Sequence, residues 1–389
     1  MISDRVRQIG LSPTLRVAAL AGELKRQGHD VLDFSAGQPD FPTPEPVKQA
    51  GIDAIRDNQT RYTANSGMVE LRESIVRRMR RDRDLGYDPG QVLVSPGAKA
   101  SLYFAFLTLI DPGDEVLVPA PYWVSYPEQV RLAGGVPVFV PCRGEDGFRL
   151  DPERLEAAIT SKTKALILND PSNPTGASHS VEQLRPIADL CVKHGLWVVA
   201  DEIYSRLLYD GRRFASVATL GDDVRERTVI VDGMSKAWSM TGWRVGWAAG
   251  PVEVISAMAK LQSHSTSNVT SISQFASVAA LDDGDEELER RVEAFQRRRD
   301  RMVERLTAIE GVSCTTPEGA FYVLPDWSAR MQDDVALAEY LLQEARVATV
   351  PGSAFGAPGH LRFSYPVSRE RIDEGLDRIE AALLKRSRR

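Results

Sequence analysis

Two side chains near the middle of the sequence have types that suit chemistry on a carbonyl group and the binding of an anion. Lys236 follows an apolar run, residues 228–232, that predicts a buried strand, so its amine is expected just beyond a strand end. A lysine in a desolvated pocket loses its proton and attacks a carbonyl carbon. Arg244 follows, and its planar guanidinium suits an oxyanion such as phosphate. Alone, Lys236 is better explained as a surface lysine, so the interpretation depends on its partners.

Three other predicted strand ends also carry residues suited to binding a ligand. The small residues around Ala98 and Lys99 open a helix, and exposed backbone N–H groups at a helix start bind phosphate. Asn173 lies in a turn stiffened by two prolines, and Asp201 precedes Tyr204 after a buried strand. Each has an ordinary alternative, such as a tight turn at Ala98 or a helix N-cap at Asp201.

The four strand ends together fit one ligand. An unpaired carboxylate at the end of a buried strand is costly, so Asp201 needs a cationic partner, and a protonated ring nitrogen would serve. A phosphate turn, a rigid amide, a buried acid and a lysine then match a phosphorylated aromatic aldehyde with a basic ring nitrogen. Pyridoxal 5′-phosphate has this chemistry.

The elements that position these residues alternate between short apolar runs and helical stretches. Short buried strands separated by helices predict a mostly parallel sheet covered on both faces, with ligands bound beyond the carboxyl ends of its strands. The runs comprise residues 92–94, 115–118, 136–140, 165–168, 196–200, 228–231 and 243–248.

The pattern changes beyond about residue 285. Apolar spacing from Leu288 to Ile309 predicts a long amphipathic helix with the arginines 297–299 mostly on its exposed face. Residues 319–324 and 361–365 are predicted strands, and a final helix is predicted near 370–384.

Composition bounds the function classes. A chain of 389 residues is long for one core, which favours two domains. A net charge of −6 argues against nucleic acid. Three separated cysteines indicate reduced thiols in a cytoplasmic protein, and no Cys/His spacing predicts a metal site. No apolar run reaches the length of a membrane span, and the N-terminus lacks a signal-peptide pattern.

The chain resembles the class I/II aminotransferases of pyridoxal-phosphate fold type I, and most closely their bacterial aspartate aminotransferase subgroup. Six motifs carry the resemblance in the family's order: residues 36–41 (AGQPDF), 122–127 (YWVSYP), 173–176 (NPTG), 201–204 (DEIY), 235–236 (SK) and Arg362. It implies a large α/β domain with a mostly parallel seven-stranded sheet flanked by helices, and a smaller α+β domain. The expected divisions are 1–44 for the N-terminal arm and part of the small domain, 45–284 for the cofactor-binding domain and 285–389 for the rest of the small domain.

The resemblance also implies how the cofactor is held. Lys236 forms the Schiff base with pyridoxal phosphate and moves the proton, and Asp201 pairs with the ring nitrogen. The ring's phenolic oxygen is contacted by Tyr204 and Asn173, and Trp123 stacks on the ring face. The phosphate is bound by the remaining residues of the turn and its surroundings, namely Ala98, Lys99, Ser235, Arg244 and, from the neighbouring subunit of a homodimer, Tyr62.

The substrate is expected to bind through its α-carboxylate to Arg362, with Gly37, Trp123 and Asn173 beside it. The implied reaction transfers an amino group from an L-amino acid to a 2-oxo acid by ping-pong kinetics. Aspartate with 2-oxoglutarate is the first expectation for the substrate pair.

The choice of substrate is less strongly indicated, because two lysines of the family are missing from the expected places. No basic residue follows Lys99 in its helix, and residues 9–14 contain no lysine. Thr14, Arg16 or the polar run 263–268 are candidates to read the substrate side chain instead. An aminotransferase for aromatic or other neutral amino acids is therefore an alternative, as is a lyase on the same scaffold. A pyridoxal-phosphate-sensing regulator is disfavoured, because nothing before Val31 provides a DNA-binding module.

Overall fold

The computed structural model describes residues 2–10, 13–283 and 285–387. Twelve strands lie in these ranges: β1 (Leu32–Asp33), β2 (Val92–Ser95), β3 (Glu115–Ala120), β4 (Val136–Pro141), β5 (Thr163–Asn169), β6 (Trp197–Asp201), β7 (Thr228–Gly233), β8 (Gly246–Ala249), β9 (Tyr322–Val323), β10 (Val347–Ala348), β11 (Val350–Pro351) and β12 (Leu361–Ser364).

Seven of the strands form one large sheet in the order β2-β8-β7-β6-β5-β3-β4. Only β8 runs antiparallel to its neighbours, and the remaining pairs in the sheet are parallel. Each strand overlaps one of the seven predicted apolar runs. The predicted mostly parallel seven-stranded sheet is therefore confirmed, and its carboxyl-end edge is the expected place for a ligand.

The α-helices in the described ranges occupy the connections and both ends of the chain. They are α1 (Asp4–Arg7), α2 (Pro13–Arg26), α3 (Glu45–Arg56), α4 (Val69–Arg83), α5 (Ala98–Leu109), α6 (Ser125–Leu132), α7 (Pro152–Ala157), α8 (Val181–Lys193), α9 (Asp222–Arg225), α10 (Val252–Ser263), α11 (Ser271–Asp283), α12 (Asp285–Thr307), α13 (Asp334–Tyr340) and α14 (Arg369–Ser387).

Helices cover both faces of the large sheet, as its nearly continuous apolar strands require. On one face, apolar residues of α5 and α10 pack with β2, β3, β5 and β8, and Phe106 and Met258 are fully buried there. On the other face, α8 packs on β3, β5 and β6 through Leu184 and Ile187. The strand ends are therefore held by a dry core, which fixes the residues that follow them.

A smaller α+β unit is built around two short sheets. Strands β11, β12 and β9 form an antiparallel sheet, and β1 pairs in parallel with β10, which joins an N-terminal segment to the C-terminal part of the chain. The long helices α12 and α14 pack against each other beside these sheets. The α/β class with a smaller α+β unit is as predicted, whereas the boundaries at 44/45 and 284/285 stay predictions.

Two strands are shorter in the structure than the sequence predicts. The run 243–248 becomes a strand only at Gly246, because residues Thr241–Trp243 form a turn of 3₁₀-helix and Arg244 adopts a left-handed backbone with φ +56°. The run 319–324 forms a strand only over Tyr322–Val323, since Ala320 is also left-handed with φ +57° and separates it from an isolated bridge between Gly319 and Leu208. Apolar side chains continue beyond the hydrogen-bonded residues in both runs, so composition alone overestimates the strands.

The prediction that residues 297–299 lie mostly outside is wrong for Arg298, whose side chain is 14% exposed, and most clearly for Arg299. Its side chain is only 3% exposed, whereas that of Arg297 is 71% exposed. Arg299 donates to both carboxylate oxygens of Asp210 at 2.7 and 2.8 Å and to the Pro317 carbonyl at 2.9 Å. Arg299 links α12 to the segment before the strand β9, and Arg298 pairs with Asp40 at 2.7 and 3.0 Å, so Arg297 is the one of the three that stays on the exposed face.

Cysteines 142, 191 and 314 are free thiols, the first two buried. Across the described residues, the helices are all too short or too polar to cross a bilayer.

The contrast between Arg299 and Arg297 gives a test of the packing between α12 and Asp210. Arg299→Met is expected to lower the free energy of unfolding by about 2 kcal/mol, because it leaves a carboxylate and a carbonyl without their donor. Arg297→Met, two residues away on the same helix, is expected to change it by less than about 0.5 kcal/mol. Urea unfolding followed by circular dichroism measures both; equal effects would show that Arg299 is not part of the packing.

Candidate active site

A cavity of about 630 Å³ lies at the carboxyl ends of the parallel strands. Eleven of the twelve predicted site residues line it, drawn from segments far apart in the sequence: Gly37, Ala98, Lys99, Trp123, Asn173, Asp201, Tyr204, Ser235, Lys236, Arg244 and Arg362. The exception is Tyr62, whose side chain is 91% exposed. A single chain does not test its expected place in a neighbouring subunit.

Lys236 lies after β7, and its amine points into the cavity. Its Nζ donates to the Gly37 carbonyl at 2.6 Å and lies 5.9 Å from the centre of the Tyr204 ring. Burial and, to a smaller extent, the positive charge of Arg362 lower the pKa of Lys236 to about 8, although Asp201 opposes the shift. The amine is therefore much closer to neutrality at pH 7 than an ordinary lysine, as a nucleophile or a general base requires.

Asp201, the last residue of β6, is a buried carboxylate on the same cavity wall. Its Oδ2 accepts from the Tyr126 hydroxyl at 2.7 Å, and its Oδ1 accepts from the Ile203 amide at 3.3 Å. Burial raises the pKa of Asp201 to about 6, against the effect of the Tyr126 hydrogen bond. No lysine or arginine in the described ranges forms an ion pair with Asp201, so the site has room for an external cation.

The start of α5 forms a concave wall of backbone atoms. Gly97 precedes the helix with φ +86°. The Arg244 guanidinium packs against this glycine, so that a Cβ at Gly97 would lie 2.4 Å from Arg244 Nη2. A Cβ at Gly246 would lie 2.2 Å from the Ala98 amide nitrogen. Both glycines are needed for this close approach, which leaves N–H groups at the helix start next to a guanidinium. Such an arrangement binds anions.

Arg362, in β12, is a second buried cation of the cavity, with a side chain 3% exposed. It donates to Asn173 Oδ1 at 3.1 Å and to the Ser35 carbonyl at 2.7 Å, while its Nε has no partner among the described residues. Its guanidinium carbon lies 4.5 Å from the Tyr322 ring centre. No carboxylate in the described ranges neutralises it, so it can bind a carboxylate ligand with planar geometry.

Lys99 was expected to contribute backbone contacts, but the structure also brings its side chain into the cavity. Its Nζ lies 4.7 Å from the Trp123 ring centre. Burial, together with the nearby Arg244, lowers the pKa of Lys99. It forms no ion pair with any carboxylate in the described ranges. Residues 263–268 do not line the cavity, and the side chains of Thr14 and Arg16 lie outside what the structure describes.

Comparisons with known proteins identify the family of the chain. The profile of the family described as "Aminotransferase class I and II" matches residues 29–379. The chain belongs to this family.

Relatives of this aminotransferase cover it almost completely. The chain is 46% identical to a probable aspartate/prephenate aminotransferase of Aquifex aeolicus, over 98% of both chains. It is 44% identical to an aspartate aminotransferase of Bacillus subtilis, over 99% of this chain and all of that one. Among solved structures, an aspartate aminotransferase from Thermus thermophilus with maleate superposes with a TM-score of 0.95, at 46% identity over 98% of this chain and 99% of that one.

The aminotransferase cavity also contains residues that the sequence did not single out. Tyr126 and Tyr322 contribute hydroxyl groups, and Ser35 contributes the carbonyl bound by Arg362. Tyr126 lies within the motif at 122–127, three residues after Trp123 and thus on the same side of a helical turn, so its spacing gave a signal. Tyr322 had no such signal, because it comes from a strand more than 80 residues after Lys236.

Proposed function

We propose that the aminotransferase uses pyridoxal 5′-phosphate to transfer an amino group from L-aspartate to 2-oxoglutarate. The observation that carries the proposal is the position of the Lys236 amine, with its lowered pKa, between an unpaired buried carboxylate, Asp201, and an unpaired buried guanidinium, Arg362. Each of the two unpaired charges matches one part of a cofactor–substrate pair.

The residues present fit the cofactor. The backbone wall at Gly97 and Gly246, with Ala98, Ser235 and Arg244, would hold its phosphate. Asp201 would pair with its ring nitrogen, and Lys236 would attach to its aldehyde carbon. Tyr204 and Asn173 would contact its phenolic oxygen, and Trp123 would cover its ring. When bound, the cofactor supplies an electron-withdrawing ring that stabilises negative charge at the substrate α-carbon.

The chain's own residues bind the substrate and move its proton. Arg362 and Asn173 would hold the α-carboxylate, beside Gly37, which fixes the orientation of the α-carbon. The Lys236 amine would take the proton from that carbon as a general base. Later in the same half-reaction it would give the proton back as a general acid. Asp201 stays ionised when it is paired with a cation, because the partner offsets the effect of burial. The first 2-oxo acid leaves before the second binds at the same Arg362, which gives ping-pong kinetics.

Lys99 supports a substrate with two carboxylates. Apart from Lys236 and Arg244, the cavity contains two cationic side chains, Arg362 and Lys99, and neither has an acidic partner in the described part of the chain. Arg362 suits the α-carboxylate, so Lys99 is available for the side-chain carboxylate of aspartate. Relatives named aspartate aminotransferase, and a solved relative with maleate, a dicarboxylate, point the same way.

We further propose that the working unit is a homodimer in which Tyr62 completes the site of the partner subunit. Tyr62 is 91% exposed, so its ring and hydroxyl are available to enter a second subunit. Arg244 is also exposed, beside the backbone wall at the start of α5. A hydroxyl group from a second subunit would bind the cofactor phosphate there together with Arg244.

Replacement of Lys236 tests the reaction. Lys236→Ala is expected to lower kcat for aspartate and 2-oxoglutarate at least about 10⁴-fold and to abolish the visible absorption of the lysine-bound cofactor. The measurement is oxaloacetate formation, with ammonia followed in parallel, because a lyase would release ammonia. Lys162→Ala, at an exposed position away from the cavity, is the matched control and should keep full activity. A Lys236→Ala enzyme that stays yellow and active would refute the proposal.

Replacement of Lys99 tests the substrate. Lys99→Leu keeps the backbone of the α5 start and is expected to lower kcat/KM for aspartate about 100-fold, through the loss of one buried ion pair with substrate. The value for phenylalanine should change less than about threefold. Arg362→Leu, as the comparison, should lower both values because every amino acid has an α-carboxylate. Equal losses for aspartate and phenylalanine in Lys99→Leu would favour the alternative of an aromatic or neutral substrate.

A further inference from the structure

The proposed reaction gives no role to Tyr322, although it lines the cavity. This residue of β9 is 1% exposed. Its hydroxyl oxygen lies 2.9 Å from that of Tyr204, and its ring centre lies 4.5 Å from the guanidinium carbon of Arg362. Tyr322 therefore contacts both a residue proposed to touch the cofactor and the residue proposed to bind the substrate carboxylate.

The position of the Tyr322 hydroxyl is closely constrained. A Cβ at Gly37 would lie 2.9 Å from this oxygen, so the loop backbone passes directly beside it. The rings of Tyr204 and Tyr322 meet edge to face, with centres 5.8 Å apart and planes at 84°. The two hydroxyl groups consequently have each other as partners, and one of them has to be the donor.

The charges around the pair indicate which hydroxyl donates. Burial raises the pKa of both phenols. The Arg362 guanidinium, 4.5 Å from the Tyr322 ring centre, is the largest influence against this rise at Tyr322. At Tyr204 it is a lesser influence, and the Asp201 carboxylate adds to the rise. The more acidic phenol is the better donor and the less acidic one the better acceptor, so Tyr322 donates and Tyr204 accepts.

We propose that Tyr322 is a positioning residue: its hydroxyl donates to the Tyr204 oxygen and thereby leaves the Tyr204 proton directed into the cavity. That proton then bonds the phenolic oxygen of the cofactor, which Tyr204 is proposed to contact. The inference rests on the proposed function. Through Tyr322 and Tyr204, the positive charge of Arg362, a residue of the small α+β unit, would influence the hydrogen bond to the cofactor oxygen.

Tyr322→Phe tests the direction of this hydrogen bond, because it removes the hydroxyl and keeps the ring against Arg362. The readout is the pH midpoint of the visible absorption of pyridoxal phosphate reconstituted on Lys236. A donated hydrogen bond favours the ionised oxygen, and neighbouring hydrogen bonds strengthen one another. Loss of the Tyr322 donor should therefore raise the midpoint by about 0.3 pH units. KM for aspartate should stay within about twofold, since Arg362 keeps its contacts.

The opposite outcome is equally specific. If Tyr204 donates to Tyr322 instead, Tyr322→Phe frees the Tyr204 proton for the cofactor and the midpoint falls. A fall, or an unchanged midpoint, overturns the inference.

Two further variants separate this role from a structural one. Tyr365→Phe removes a hydroxyl that bonds Tyr209 and the Ala320 carbonyl outside the cavity, and it should leave the midpoint unmoved. In a Tyr204→Phe background, Tyr322→Phe should cause no additional shift, and a shift that persists there would refute the route through Tyr204. If the wild-type protein itself shows no visible cofactor absorption, the proposed function fails. A normal wild-type spectrum with an unmoved Tyr322→Phe midpoint refutes only the role of Tyr322.

Discussion

The removal of water from the Lys236 amine is the physical condition on which the site depends. In water a lysine is almost wholly protonated at pH 7 and has no lone pair to offer. Here burial disfavours the ammonium form, and Arg362 repels it, while Asp201 supplies only a partial opposing attraction. The amine thus becomes available within a folded structure at a neutral pH, without a dedicated base beside it.

This condition requires unpaired charges to be held in place at some cost. Asp201 and Arg362 are both buried, and neither has an oppositely charged side chain as its partner in the described ranges. Hydrogen bonds from Tyr126 and to Asn173 hold the two side chains, but they do not neutralise them. The large sheet offsets this cost, because its central strands β5, β6 and β7 are almost entirely buried and their carboxyl ends meet the cavity. Cofactor and substrate would complete the two pairs, so binding and folding are coupled through the same charges.

Much of this architecture is predictable from the sequence for local reasons. Each strand of the large sheet is an apolar run bounded by polar or glycine residues, so the sheet and its ligand-binding edge follow from patterns a few residues long. The residues at or shortly after the ends of those strands, such as Asp201 and Lys236, are therefore easy to place. The family motifs supplied Arg362, which no local pattern connects with the other residues.

What the sequence did not predict depends on contacts between distant segments or on backbone geometry. The buried position of Arg299 depends on Asp210, almost 90 residues earlier, and helical periodicity carries no information about such a partner. The late start of β8 results from the left-handed backbone at Arg244, an ordinary residue in a conformation that usually requires glycine. The side chain of Lys99 turns towards Trp123, whereas its position in the sequence suggested only backbone contacts. Tyr322 enters the site because a second unit of the fold packs against the first.

The most direct test of the account measures the basicity of Lys236 in the cofactor-free protein. The rate at which an amine-specific acylating reagent modifies Lys236 is followed by peptide mass spectrometry from pH 6 to 11, with the exposed Lys162 in the same sample as the reference. The acylation rate at Lys236 is expected to reach half of its plateau near pH 8, the lowered pKa of this buried amine. A rate at Lys236 that continues to rise up to about pH 10.4, as for a lysine in water, would contradict it.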